Sequence, residues 1–276
     1  MISMEEIVQS GISNGKVFIS GCVQMDKNSI VAIGRIDTQV VIFKLYLSSH
    51  NDDFMDYLYK HLHTVPFPEY IKFGDRYYTI LSVGEKKYNM VVYPYIPSRH
   101  KICLNKNSIK NIVYSLWQIH KNTSRHVCSA VINQFVLRDG LACDNGFLNL
   151  FDDGLFYSHY EKKDFLTGAN LLHGDFRLSN ILCEGTRIID LEDAIWGPPE
   201  YDLGRLLQSI FMETDIDYRL MNYLLSEYEI ISNRRINRIF VLCNAVLRFS
   251  HRIRSDKLPL SDKRIDSFVC NIKKMM

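Results

Sequence analysis

The residues best suited to chemistry are crowded between positions 171 and 203. Leu171-Leu172-His173-Gly174-Asp175-Phe176-Arg177-Leu178-Ser179-Asn180-Ile181-Leu182 is followed by Ile188-Ile189-Asp190-Leu191-Glu192-Asp193, then by Gly197-Pro198-Pro199-Glu200-Tyr201-Asp202-Leu203. Asp175 and Asn180 stand five apart across a loop that closes into a strand. Asp190 follows a short hairpin, at the end of an apolar strand. A carboxylate, a carboxamide and a second carboxylate thus converge on one rim. Asn180 and Asp190 are hard oxygen donors of the kind Mg²⁺ takes while keeping coordination places for phosphates. Asp175 is left to accept the proton of a substrate hydroxyl. Phosphoryl transfer divides its labour in this way, because positioning and charge neutralisation carry most of the rate.

These residues need a scaffold, and the apolar pattern supplies one. Lys16–Val23 and Ser29–Ile36 flank a polar turn and read as a hairpin, with a third strand over Val40–Leu45. Phe54, Leu58 and Leu62 place a helix over Asn51–His63, which Pro66 and Pro68 end. Tyr77–Val83 and Tyr88–Tyr93 form a further strand pair, and Pro94 and Pro97 mark a hinge. Beyond it, Ser108–Lys121 is helical, with Ile109, Ile112, Leu116 and Ile119 on one stripe. Two short strands follow at Asn180–Cys183 and Thr186–Asp190. From Asp202 onward the pattern is mainly helical, and one helix is expected from Ser232 to Arg254. The expectation is an α+β, bilobal chain: residues 1–95 form a β-rich lobe and residues 96–276 a larger helical one.

The stretch 171–206 resembles the aminoglycoside phosphotransferase and choline kinase superfamily, the small-molecule relatives of protein kinases. The shared signature is H-G-D-x-x-x-x-N, then I-D-x-E/D, then G-x-x-x-x-D-L. Gly174 stands where protein kinases usually have Arg, which favours the small-molecule branch. The resemblance implies a protein-kinase-like fold, with Asp175 as catalytic base and Asn180 and Asp190 as Mg²⁺ ligands. It sets Arg177 near the transferred phosphoryl group. His173 reads as a buried, hydrogen-bonding spacer. Asp202 reads most simply as a helix N-cap; in the family the matching Asp braces the catalytic loop.

Val41-Ile42-Phe43-Lys44 resembles the kinase strand whose Lys holds the nucleotide phosphates. A Lys on an apolar strand needs a partner for its charge. The resemblance puts an acidic partner on the next helix, where Asp53 and Asp56 are both candidates. Tyr93-Pro94-Tyr95-Ile96-Pro97 occupies the hinge position, where the Pro94 carbonyl and the Ile96 N–H are available to a purine. Gly21 and the turn after it do not make a glycine-rich loop, so phosphate cover falls to turn amides and Ser20 or Ser29. Leu116-Trp117-Gln118-Ile119-His120 resembles the L-x-x-L-H end of a family helix, with His120 packed as a structural residue.

Composition narrows the rest. The 276 residues carry a net charge of +2, too near neutral for a nucleic-acid binder by charge alone. No apolar run approaches the ~20 residues that span a bilayer. Seven cysteines without C-x-x-C spacing read as reduced thiols of a cytoplasmic protein. The implied partners are a nucleoside triphosphate, ATP or GTP, and a small hydroxyl-bearing molecule. Glu192 and Asp193 beside the metal ligand, with Asp152, Asp153, Glu161, Asp164, Glu213, Asp215 and Asp217, suit a cationic acceptor of the aminoglycoside type, as in antibiotic resistance. A metabolic kinase for choline, ethanolamine, thiamine or a sugar is the rival enzyme, and a non-catalytic kinase-like binding module the rival class. The acceptor, ATP against GTP, and the oligomeric state stay open at this stage.

Overall fold

A computed structural model describes residues 4–12, 15–25, 29–47, 68–83, 85–97, 103–121, 170–182, 186–191, 193–213, 217–255 and 262–276. The chain divides into two compact units, Met1–Arg99 and His100–Met276.

Among its described residues, the first unit holds an antiparallel sheet and a short helix. The strands β1 (Val17–Met25), β2 (Ser29–Ile36), β3 (Gln39–Leu47), β4 (Thr79–Val83) and β5 (Lys86–Pro94) lie in the order β1-β2-β3-β5-β4. Alternation along β3 explains its two faces. Val41, Phe43 and Leu45 are buried together with Ala32, Leu81, Met90 and Val92, while Ile42 and Lys44 lie on the opposite, half-buried face. The β2–β3 turn places Asp37 at φ 51°, a left-handed conformation that Asp tolerates. The Asp37 carboxylate accepts the Lys16 N–H at 2.9 Å. β1 slips register at Ser20 and again at Val23, so it carries two bulges against β2.

Helix α1 (Met4–Ser10) was absent from the sequence expectation. It packs Val8 into the sheet core. Its Gln9 and Glu5 side chains accept the backbone N–H groups of Val17 and Ile19, both at 2.9 Å. The strand expected from Tyr77 begins at Thr79. The helix expected over 51–63, with Asp53 and Asp56, lies outside the described residues.

The second unit is mainly helical. Helix α2 (Lys106–His120) buries Ile109, Ile112, Leu116 and Ile119, the stripe legible in the sequence. A reciprocal cap starts it: Asn105 Oδ1 accepts the N–H of Ser108, and Ser108 Oγ accepts that of Asn105. Two small antiparallel pairs follow. β6 (Asn170–Leu172) pairs with β9 (Ile195–Gly197), and β7 (Ile181–Leu182) pairs with β8 (Arg187–Ile188). A single 3-10 turn, Leu178–Asn180, precedes β7.

Among the described residues, helices α3 (Glu200–Glu213), α4 (Tyr218–Ser232), α5 (Arg238–Ser255) and α6 (Lys263–Met275) follow. α3 packs on α5, and Gly204 makes that approach close: a Cβ there would meet the Asn244 Cβ at 2.5 Å. Phe249 of α5 stacks on Phe268 of α6 with centroids 3.9 Å apart. The helix expected from Ser232 to Arg254 starts only at Arg238, and Ser232 is the last residue of α4. Asn233 takes a left-handed conformation, φ 50° and ψ 39°, and closes α4; Asn237 then accepts the Phe240 N–H and opens α5. Asp217, read as an acceptor-pocket acid, caps α4 by accepting the Arg219 N–H. Among the described residues no helix is long and apolar enough to cross a membrane.

Candidate active site

The candidate site is built on the segment between β6 and β7, and Asp202 holds that segment's backbone. Asp202 Oδ2 accepts the His173 N–H at 2.6 Å and Oδ1 accepts the Gly174 N–H at 3.0 Å. Asp202 is wholly buried and lies in the first turn of α3, two residues inside the helix. It is therefore not that helix's N-cap; its carboxylate braces the loop instead. Burying a carboxylate is costly unless its oxygens are satisfied, and here three donors do so. The third is His120 Nε2, at 3.0 Å. A carboxylate only accepts, so Nε2 carries the imidazole proton and Nδ1 accepts from the Tyr228 hydroxyl at 2.7 Å. Burial pushes the Tyr228 phenol well above its ordinary range, which keeps that hydroxyl a donor.

His173 is also fully buried. Its Nε2 donates to the Ile189 carbonyl at 2.8 Å, so Nδ1 is the acceptor, and the Asp175 N–H meets it at 3.3 Å. The side chain thus joins the loop to the segment that carries Asp190. Gly174 is required by the same crowding. Its φ is 84°, and a Cβ there would fall 1.8 Å from the Asp193 carbonyl oxygen.

Asp175 stands at the mouth of this loop, half-buried. Arg205 donates from Nε to Asp175 Oδ1 at 2.7 Å, and its Nη2 lies 2.7 Å from the same oxygen. Oδ2 receives less. Asn180 Nδ2 donates to it at 3.3 Å, and Arg177 Nε lies 3.0 Å away as a charge contact without a hydrogen bond.

Asn180 is almost fully buried, and its Nδ2 also donates to the Asp175 backbone carbonyl at 3.0 Å. That bond fixes the amide. It leaves Oδ1, which accepts from Ser179 Oγ at 3.4 Å, as the amide atom that could take a metal. The Ile189 N–H donates to the Asn180 carbonyl at 3.0 Å, and Ile181 pairs with Ile188. Asp190 follows one residue beyond that bond, at φ 66°. A left-handed, non-glycine residue is uncommon; Asp tolerates it, as at Asp37, and such conformations concentrate at functional positions. An amide oxygen and a carboxylate are donors of the kind that would suit Mg²⁺, with phosphates and water completing its shell. Among the described residues no cluster of three or more His, Cys, Asp or Glu side chains would hold a metal by itself.

The remaining expected residues fall as follows. Asp193 is exposed and Glu192 lies outside the described residues, as do Asp53 and Asp56. In the first unit, Lys44 is half-buried on β3, in register with Val31 of β2 and Val91 of β5. An apolar floor therefore flanks the ammonium stem on both sides. Pro94 ends β5 opposite Val41, the Tyr95 N–H donates to the Val40 carbonyl at 3.0 Å, and Ile96 follows half-buried.

Three α3 residues escaped the sequence reading. Arg205 grips Asp175, Gln208 Oε1 accepts Arg205 Nη1 at 2.8 Å, and Ser209 Oγ accepts the Leu178 N–H at 2.9 Å. Arg205 and Ser209 lie three and seven residues after Asp202. That is the spacing of one helix face, the signal that points them at the same loop.

Known proteins resemble this chain in one sequence segment and in fold. Residues 169–229 match the model of the phosphotransferase enzyme family. No curated protein matches the chain significantly. Solved structures do. An aminoglycoside phosphotransferase from Alicyclobacillus acidocaldarius subsp. acidocaldarius is 16% identical with a TM-score of 0.66, over 100% of this chain and 93% of that one. A microcompartment-associated aminopropanol kinase is 13% identical with a TM-score of 0.62, over 97% and 93%. A spectinomycin phosphotransferase, solved with ADP and spectinomycin, is 16% identical with a TM-score of 0.58, over 96% and 91%. The resemblance read from residues 171–206 is thus borne out, and the fold is the expected α+β, bilobal, protein-kinase-like one.

Proposed function

We propose that this chain is a small-molecule kinase, transferring the γ-phosphoryl group of Mg-bound ATP or GTP to a hydroxyl of a small acceptor. The observation that carries the reading is Asp175, Asn180 and Asp190 assembled on one backbone that Asp202 braces. Asp175 orients the acceptor hydroxyl and takes its proton. Asn180 Oδ1 and the Asp190 carboxylate hold Mg²⁺, which supplies charge neutralisation at the phosphates. Lys44 fixes the nucleotide phosphates, paired with Asp53 or Asp56. The Pro94 carbonyl and Ile96 N–H receive the purine, and Arg177 steadies the transferred group. Residues 1–95 serve as the nucleotide lobe and 96–276 as the catalytic one, in a cytoplasmic enzyme.

For the acceptor we propose a cationic amino alcohol of the aminoglycoside type, met in part by Glu192 and Asp193. The phosphotransferases of similar fold support this choice. A second reading, a metabolic kinase of a smaller amino alcohol, is favoured by the likeness to the aminopropanol kinase.

A mass-spectrometric screen tests both. Purified protein with Mg²⁺ and ATP or GTP meets aminoglycosides, choline-like amines, aminopropanol, thiamine and sugars. The expected result is one added phosphate on a single acceptor class. Asp175→Asn is expected to lower turnover by at least about 100-fold, and Asp190→Ala to weaken Mg-nucleotide binding. Turnover within a few-fold of wild type in Asp175→Asn would remove Asp175 as the base. Tight nucleotide binding without any product would favour a non-catalytic module.

A further inference from the structure

The two oxygens of Asp175 are not equivalent. Oδ1 is met by both Nε and Nη2 of Arg205 at 2.7 Å, a charge-assisted pair with both side chains less than one-fifth exposed (17% and 18%). Oδ2 has one long amide bond, 3.3 Å from Asn180, and a guanidinium contact that is not a hydrogen bond. Arg205 is itself held, because its Nη1 donates to the buried Gln208 at 2.8 Å. Each of its three nitrogens is therefore engaged by a protein oxygen. Arg205 is built as a holder of Asp175 rather than as a phosphate ligand. The helix that carries it also carries Asp202, so α3 fixes the loop backbone at one point and the Asp175 side chain at another.

Resting on the kinase reading above, we propose that Arg205 is a positioning residue that anchors Asp175 through Oδ1 and reserves Oδ2 for the acceptor hydroxyl. A carboxylate free to turn about its Cβ–Cγ bond presents either oxygen. Arg205 removes that freedom, and the acceptor approaches from the Oδ2 side. In the step itself the acceptor oxygen forms its bond to the γ-phosphorus while its proton passes to Oδ2. The bond from the γ-phosphorus to the β–γ bridging oxygen breaks, and its electron pair leaves with the nucleoside diphosphate. Gln208 acts one contact further out, by fixing the plane of the guanidinium.

The test is a double-mutant cycle read in kinetics and in unfolding. Arg205→Met is expected to lower kcat by about ten- to a hundred-fold, the usual cost of a misplaced catalytic group, with the nucleotide KM changed less than about twofold. Arg205→Lys keeps the charge without the two-nitrogen grip and is expected to recover only part of the rate. Gln208→Leu leaves Arg205 in place and is expected to give a smaller kcat loss of about three- to ten-fold. In an Asp175→Ala background, Arg205→Met is expected to cost no further activity. Loss of nucleotide KM instead of kcat, full rescue by Lys, or an equal loss in the Asp175→Ala background would each overturn the proposal.

Urea unfolding of the same four proteins decides the clamp without any turnover. The change in midpoint caused by Arg205→Met is expected to shrink by about half or more when Asp175 is Ala. Additive midpoints overturn the clamp. Coupled midpoints with no phosphoryl transfer by the wild type would sustain the clamp and sink the kinase reading instead. If Arg205→Met fails to fold, the cycle runs with Gln208→Leu and Arg205→Lys.

Discussion

At the scale of single residues, the candidate site rests on groups whose alternatives are physically excluded. Gly174 is the clearest. Its φ of 84° already disfavours any side chain, and its Cβ position is filled by the Asp193 carbonyl. A left-handed L-residue costs about 1–2 kcal/mol, and the clash adds to that. Gly174→Ala is therefore expected to lose more than about 2 kcal/mol of stability in urea unfolding, with turnover falling together with it. A stability within about 0.5 kcal/mol of wild type would mean that the Asp193 carbonyl moves freely. Asp175, Asn180 and Asp190 were legible in the sequence because the elements joining them are short, so their spacing survives folding almost unchanged. Arg205 was not, since its partner lies 30 residues away and only a shared helix face hints at it.

At the scale of elements, the informative failure is the helix read as continuous from Ser232 to Arg254. The apolar stripe of α5 is strong enough to suggest helix well upstream of its start. Local backbone chemistry overrides the stripe: Asn233 turns left-handed, and Ile236 N–H donates to Glu229 Oε1 at 3.3 Å. Burial works to raise the Glu229 carboxyl, yet the bonds from Arg238 and Ile236 hold it below its ordinary range. The corner is thus clasped by a charged group as well as by a conformation. Asn233→Ala is expected to cost about 1 kcal/mol in thermal or urea unfolding, and Asn233→Gly to be neutral within about 0.5 kcal/mol. Equal effects of the two would show that the side chain of Asn233, rather than its backbone angle, closes α4. The stripes of α2 and β3 were read correctly because burial on one face leaves a periodic trace.

At the scale of the whole molecule, Cys243 offers a probe of global opening. It is fully buried in α5, and burial pushes its thiol up to about 12. A raised thiol is less ionised at any pH below that value, so it is a poor nucleophile as well as a hidden one. Iodoacetamide at about pH 8 is expected to label the exposed Cys22, Cys103 and Cys270 in the native protein. Cys243 is expected to react only across the urea transition; native-state labelling there would reveal opening of α5 apart from the rest. The division into a sheet-rich and a helical part was readable from where β-branched alternation gives way to helical stripes. Helix α1 was not readable, because its seven residues bear too short a pattern and its main bonds are made by side chains. Those bonds have a geometric basis. Four residues of helix advance about 6 Å and two residues of strand about 6.6 Å, so Glu5 and Gln9 match the spacing of Ile19 and Val17. The helix stands in for a neighbouring strand along the outer margin of β1, which is otherwise a template for another chain. A shortened protein that begins after Ser10 would keep every residue named in the chemistry and still invite edge-to-edge aggregation, so the first helix guards solubility rather than activity.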